Sequence, residues 1–153
     1  MPPFRPAELD SVRVGVDLVD VERVRRLIAE HPDQLGTIWT ARERARAAGR
    51  AGAAQHLAVR FAAKEALLKA LGSGLAAGMG WTEIEVGNDR QGRPTLSLSG
   101  RVARWADEHG MSCADISLSH TRTTAMAVVL VRTRSAEAVR NSYFARGALC
   151  GSI

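Results

Sequence analysis

Cysteine and aromatic residues are scarce in this chain. Cys113 and Cys150 are the two cysteines among 153 residues. Two are too few for a disulfide framework, and neither has a partner at metal-ligand spacing. A reducing cytoplasm is the expected setting. Three Phe, three Trp and one Tyr leave the core to Ala, Val, Leu and Ile. No apolar run approaches the roughly 20 residues of a membrane span, and Met1-Pro2-Pro3-Phe4-Arg5-Pro6 has no apolar stretch of secretory type. No membrane association is expected. Internal repeats and low-complexity tracts are lacking. So is the phosphate-loop spacing G-x-x-x-x-G-K-[ST].

What is present suits one compact domain. Hydrophobic residues make up 46%, enough to bury a core at this length. The net charge of +5 favours acidic partners such as nucleic acid, an acidic protein or a polyphosphate. The charge is Arg-rich, and arginine suits bidentate contact with carboxylates and phosphates. A small basic nucleic-acid-binding protein is one alternative. Against it, the chain has no aromatic stacking positions in a basic strand and no helix-turn-helix or zinc spacing. No nucleic-acid partner is therefore expected.

Along the chain, residues 1–11 read as a Pro-rich flexible arm, 12–134 as the domain and 135–153 as a tail. Val12 to Leu18 alternates as a strand. Its apolar face is Val12, Val14, Val16 and Leu18; the other face carries Arg13, Gly15 and Asp17. Asp20 opens a helix with Val21, Val24, Leu27 and Ile28 on its apolar side, which His31-Pro32 ends. Thr40 and Glu43 form a capping box for a short Arg-laden helix, which Gly49 to Gly52 breaks. The longest helix spans about Ala53 to Leu71, stopped by Gly72-Ser73-Gly74. Strands follow near Thr82–Val86 and Thr95–Leu98, then a helix to about His109, then strands Ala114–Leu118 and Ala125–Arg132. The pattern is α+β, with strands that need a partner surface for their second faces.

The long helix carries the chemistry. Ala54, Ala58, Phe61, Leu68 and Gly72 form a stripe, and Glu65 sits within it. An acid on an apolar stripe is costly unless paired or bound to a metal. Lys69, four residues on, shares its face and offers an intrahelical pair. Asp17 is a second carboxylate, on a strand where Asp is disfavoured. The missing side chain of Gly15 leaves room beside it for a ligand. Two converging carboxylates would suit Mg²⁺, which takes one or two carboxylates with waters and substrate phosphates. Ser117-Leu118-Ser119-His120-Thr121 ends a strand with groups able to meet phosphate or nucleotide, and Gly72 and Gly74 could approach phosphates closely.

These segments resemble a known family. Gly15-Val16-Asp17 with Arg23 resembles the first signature of the 4′-phosphopantetheinyl transferases. Arg60-Phe61-Ala62-Ala63-Lys64-Glu65-Ala66 with Lys69-Ala70-Leu71-Gly72 resembles the second. Gly92-Arg93-Pro94, Leu98-Ser99-Gly100 and Ser117 to Thr121 follow in the order of the short holo-acyl-carrier-protein synthase type. The similarity covers about residues 13–132.

The resemblance implies the 4′-phosphopantetheinyl transferase fold, a small antiparallel sheet with one long helix and shorter ones. It implies transfer of the phosphopantetheine arm of coenzyme A to a serine of an acyl carrier protein of a fatty acid or polyketide synthase. Asp17 and Glu65 would hold Mg²⁺, and Asp17, Glu65 and Lys69 would be catalytic. Lys64 and Lys69 would lie near the phosphates, with Gly72 and Gly74 close by. Arg93, Pro94, Ser119 and His120 would help hold the 3′-phosphoadenosine portion. Arg23 would face the carrier protein, and Arg26 shares its helix face. Glu65 and a water on the metal both stand as acceptors of the serine proton. The short type forms homotrimers with active sites between subunits. A catalytically silent carrier-binding module is the other alternative; intact Asp17, Glu65, Lys69 and His120 argue against it.

Overall fold

The computed structural model of the chain describes residues 11–76 and 78–134. Residues 1–10 of the arm expected over 1–11 and the tail expected over 135–153 lie outside the described residues, and Ser11 belongs to the first strand. The elements run β1 (Ser11–Asp20), α1 (Val21–Glu30), α2 (Leu35–Ile38), α3 (Ala41–Ala47), α4 (Ala53–Leu71), β2 (Ile84–Asn88), β3 (Pro94–Leu98), α5 (Gly100–Glu108), β4 (Met111–His120) and β5 (Thr124–Thr133). The class is α+β. β1, β5 and β4 make an antiparallel sheet in that order, and β2–β3 is a separate hairpin.

Helix α4 lies against β1 and β5 and forms the centre of the core. The strands meet it with small side chains: Ala125, Ala127, Val129 and Val131 of β5 are all fully buried. At Gly15 the contact is direct, since a Cβ there would stand 1.8 Å from the Ala66 carbonyl oxygen. The space that the sequence suggested for a ligand beside Asp17 is filled by the backbone of α4.

The two faces of β1 therefore take opposite roles. Arg13, Gly15, Asp17 and Val19 face the helix, and Arg13 Nη1 donates to the Leu71 carbonyl at 3.0 Å. Val12, Val14, Val16 and Leu18 point outward, 42–64% exposed. The register sets Val14 opposite Leu130, Val16 opposite Val128 and Leu18 opposite Met126. Leu130 and Met126 are also exposed, so β1 and β5 present an apolar outer surface, bordered on β4 by the exposed Asp115, Ser117 and Ser119.

Helix ends follow their sequence signals. Asp20 caps α1 by accepting from the Arg23 amide at 2.9 Å. Thr40 and Glu43 form the capping box of α3, and Gly72 closes α4 at φ 73°. One boundary moved. Trp81–Glu83 is a 3₁₀ turn and β2 begins at Ile84, because Glu83 is used as a cap. Its carboxylate accepts from the amides of Arg101 (3.1 Å) and Val102 (3.2 Å), the first turn of α5. Bonds to those orphan amides hold the Glu83 carboxyl below the usual range.

Candidate active site

Two clefts flank α4 and share no lining residue. The first, of about 890 Å³, lies between β1, α1 and α4 and is lined by Asp17, Arg23, Trp39, Phe61, Glu65 and Lys69 among others. Alternation on β1 turns Asp17 to the helix side, one residue pair beyond the close approach at Gly15. Lys69 reaches across to it, donating to Asp17 Oδ1 at 2.7 Å and to the Val16 carbonyl at 3.1 Å. Lys69 thus takes a partner on the strand rather than the intrahelical partner Glu65. Asp17 is mostly enclosed, at 14% side-chain exposure, while Lys69 stays half in solvent at 53%.

Glu65 is left without that direct bond. Burial pushes its carboxyl above the usual range, and the Asp17 charge pushes it further; Lys69 and Arg23 pull the other way. The hydrogen bond to Asp17 holds the Lys69 ammonium above its usual value. Two carboxylates within electrostatic reach, one paying for its charge, suit a hard cation. Among the described residues no group of three His, Cys, Asp or Glu side chains could hold a metal. Asp17 and Glu65 are the two carboxylates here that could hold such a cation, with phosphate and water oxygens as the remaining donors.

The second cleft, of about 650 Å³, lies between α3, α4, the β2–β3 hairpin and the end of β4. Arg46, Arg50, His56, Arg60, Pro94 and His120 line it. Arg60 Nη1 donates to the His56 carbonyl at 2.8 Å. Asn88 Oδ1 accepts from Arg46 at 3.4 Å and Arg60 at 3.5 Å. The His56 and His120 rings meet edge to face, 6.2 Å apart. Burial lowers the His56 pKa, helped by Arg60, Arg50 and His120. With Arg90 also on the wall, four guanidinium groups and two imidazoles in one recess make an anion pocket.

The expected site residues divide accordingly. Asp17, Glu65, Lys69, Arg23 and Arg26 line the first cleft, and Pro94 and His120 the second. Arg93, Gly72, Gly74 and Ser119 line neither. Arg93 is exposed, its amide held by Asp89 Oδ1 at 2.8 Å. Gly72 serves as the stop of α4, and Ser119 is exposed opposite Met126.

Lys64 departs from expectation. It is fully buried, and Nζ donates to Glu43 Oε2 (2.7 Å), the Ile38 carbonyl (2.7 Å) and the Trp81 carbonyl (3.0 Å). An ammonium has three donors, so none remains for a phosphate. The sequence reading missed Arg46, Arg50 and His56 as site residues. The available signal was the arginine-laden α3 and the i, i+4 spacing of His56 and Arg60.

Comparison with known proteins adds a family. Residues 13–129 match the model of the 4′-phosphopantetheinyl transferase superfamily. The chain is 42% identical over 118 residues to a holo-[acyl-carrier-protein] synthase of Geotalea daltonii, covering 76% of this chain and 94% of that protein. Its fold is similar to the crystal structure of a holo-[acyl-carrier-protein] synthase from Neisseria meningitidis, with a TM-score of 0.71, 31% identity and coverage of 78% and 96%. A Bacillus anthracis holo-(acyl-carrier-protein) synthase in complex with coenzyme A (3′,5′-ADP) is similar at a TM-score of 0.65 and 30% identity, covering 79% and 96%.

Proposed function

This chain belongs to the 4′-phosphopantetheinyl transferase superfamily, and on that premise we propose that it moves the phosphopantetheine arm of coenzyme A onto a serine of an apo acyl carrier protein. It is an enzyme of the holo-acyl-carrier-protein synthase type. The observation that carries the mechanism is the convergence of Asp17, Glu65 and Lys69 from β1 and α4 in one cleft.

The serine oxygen attacks the phosphorus bearing the pantetheine arm, and the pyrophosphate bridge breaks. Adenosine 3′,5′-bisphosphate leaves. Glu65, or a water beside it, takes the serine proton. Asp17 and Glu65 would hold Mg²⁺, which would supply charge neutralisation where oxygens gain negative charge. Lys69 adds a mobile positive charge at the same place. Arg46, Arg50, Arg60 and His120 take the 3′-phosphoadenosine end.

The two clefts share no lining residue, which supports a composite site. The first cleft of one subunit faces the anion pocket of the next in a cyclic homotrimer. The outward apolar face of Val12, Val14, Val16, Leu18, Met126 and Leu130 is the surface such an assembly would cover. Arg23 and Arg26 receive the acidic carrier protein, of fatty acid or polyketide synthesis. No described helix is long and apolar enough to cross a membrane, and a cytoplasmic enzyme fits the sparse cysteines. The transferase domain is residues 12–134. The test is release of adenosine 3′,5′-bisphosphate that needs coenzyme A, Mg²⁺ and an apo carrier together; release without the carrier would refute the transfer.

A further inference from the structure

The mechanism leaves unused the most deeply enclosed charged pair among the described residues. Lys64 and Glu43 are 0% and 1% exposed, joined at 2.7 Å. Burial drags the Lys64 pKa down, and Glu43 opposes it. Such a pair is rarely a net source of stability over an apolar one of equal volume, so its geometry needs another account.

That geometry is fully specified. Lys64 spends its three donors on Glu43, Ile38 and Trp81. Glu43 Oε2 also accepts the Thr40 amide at 2.8 Å, and Oε1 accepts the Val86 amide at 2.9 Å. Four segments are therefore tied to α4 at one point: the end of α2, the first turn of α3, the Trp81 turn and β2. Three of the four lead to a cleft. Ile38 and Trp39 line the first. On α3, Arg46 follows Glu43 by three residues and so shares its side of the helix; Arg50 lies in the turn that follows the helix end at Ala47. On β2, Asn88 follows Val86 by two, on the same strand face, and accepts from Arg46 and Arg60. Arg60 in turn precedes Lys64 by one helical turn.

We infer that Lys64 and Glu43 are positioning residues that hold Arg46 of α3, Arg50 of the turn after it and Asn88 over the anion pocket, so that the pair sets recognition of the 3′-phosphate of coenzyme A. This rests on the assignment of that pocket to the phosphoadenosine end. Neither residue touches substrate. Their effect passes through Arg46, Arg50 and Asn88.

The experiment compares coenzyme A with dephospho-coenzyme A, which lacks the 3′-phosphate, as the ratio of kcat/KM values. Lys64→Met alone strands a buried carboxylate and can unfold the chain. The double variant Lys64→Met with Glu43→Gln removes both charges, so it is the main test, with circular dichroism as the folding control. The preference for coenzyme A should fall roughly tenfold, the scale of one lost charge-assisted contact. The change should lie in the KM for coenzyme A, with the KM for dephospho-coenzyme A and the carrier KM unchanged. Glu43→Asp, which keeps the charge, should restore part of the preference relative to Glu43→Gln. A merely structural pair would lower kcat for both substrates in proportion and leave the ratio at the wild-type value, which would overturn the inference. Arg46→Gln with Arg50→Gln separates the two levels. If these arginine variants keep the wild-type preference, the pocket assignment fails and the inference with it. If they lose it while the Lys64/Glu43 variant keeps it, the pocket assignment stands and the inference alone fails.

Discussion

Lys69 Nζ lies 2.7 Å from Asp17 Oδ1, joining residues 52 positions apart in the chain. Lys64 and Lys69 are the chain's only lysines, five residues apart on α4, yet one is sealed in the core and the other half exposed. An α-helix turns 500° in five residues, so the two point to different sides. That divergence separates a buried strut from the group proposed for catalysis. Asp17→Ala and Glu65→Ala should each lower transfer by about 10²-fold or more, the scale of losing one preorganised electrostatic stabiliser. Their far-ultraviolet circular dichroism should match wild type. Full activity in either variant, or in wild type with excess chelator, would exclude the metal assignment.

Glu65 also makes stability depend on pH. Its folded pKa is raised above the usual 4.5 by burial and by Asp17. The folded state therefore holds this proton more tightly than the unfolded one. The favourable contribution is complete below the unfolded value and lost as pH rises through the folded pKa. Glu65→Gln should raise Tm at pH 7, with the gain shrinking towards pH 4. Thermal melts across that range check it, and a lower Tm for the variant at pH 7 would show that Glu65 is stabilised by its neighbours instead.

At Gly15 the backbone of α4 leaves no room. A Cβ would stand 1.8 Å from the Ala66 carbonyl oxygen and 2.8 Å from the Ala70 amide nitrogen. Both are backbone atoms that cannot swing aside. Gly15→Ala should destabilise the domain by about 3 kcal/mol or more, measured by urea unfolding. A wild-type midpoint would mean that β1 and α4 lie farther apart than described.

These cases show what was legible in the chain. The bounds of α4 were read correctly at Ala53 and Leu71, because a glycine flanks each end and the apolar content is dense. The alternation of β1 was legible too, but not which face turned inward. Val12, Val14, Val16 and Leu18 are the obvious core residues by hydropathy, yet the face with Gly15 meets the helix. A missing side chain is ambiguous in sequence: it can admit a ligand or a backbone. Lys64 was misplaced for a similar reason. Its partners Glu43, Ile38 and Trp81 lie 17 to 26 positions away, and no local spacing reports them. The pairing of Asp17 with Glu65 and Lys69 rested on family resemblance, since strand and helix are 48 residues apart or more.

The carrier surface gives a kinetic prediction. Arg23 and Arg26 line the first cleft beside Glu65, three residues apart on α1. Arg23→Glu with Arg26→Glu should raise the KM for the carrier about tenfold or more and flatten its salt dependence, as expected of rim charges. The KM for coenzyme A should change little. Loss of coenzyme A binding with an unchanged carrier KM would assign α1 to the other substrate.

The central claim is transfer itself, and intact-mass spectrometry of the carrier tests it most directly. Purified chain, coenzyme A, Mg²⁺ and an apo acyl carrier protein should convert the carrier to a species heavier by one phosphopantetheine group, located on its serine. Asp17→Ala under the same conditions should leave the carrier at its apo mass. A carrier mass unchanged by the wild-type chain, across apo carriers of fatty acid and polyketide type, would contradict the account.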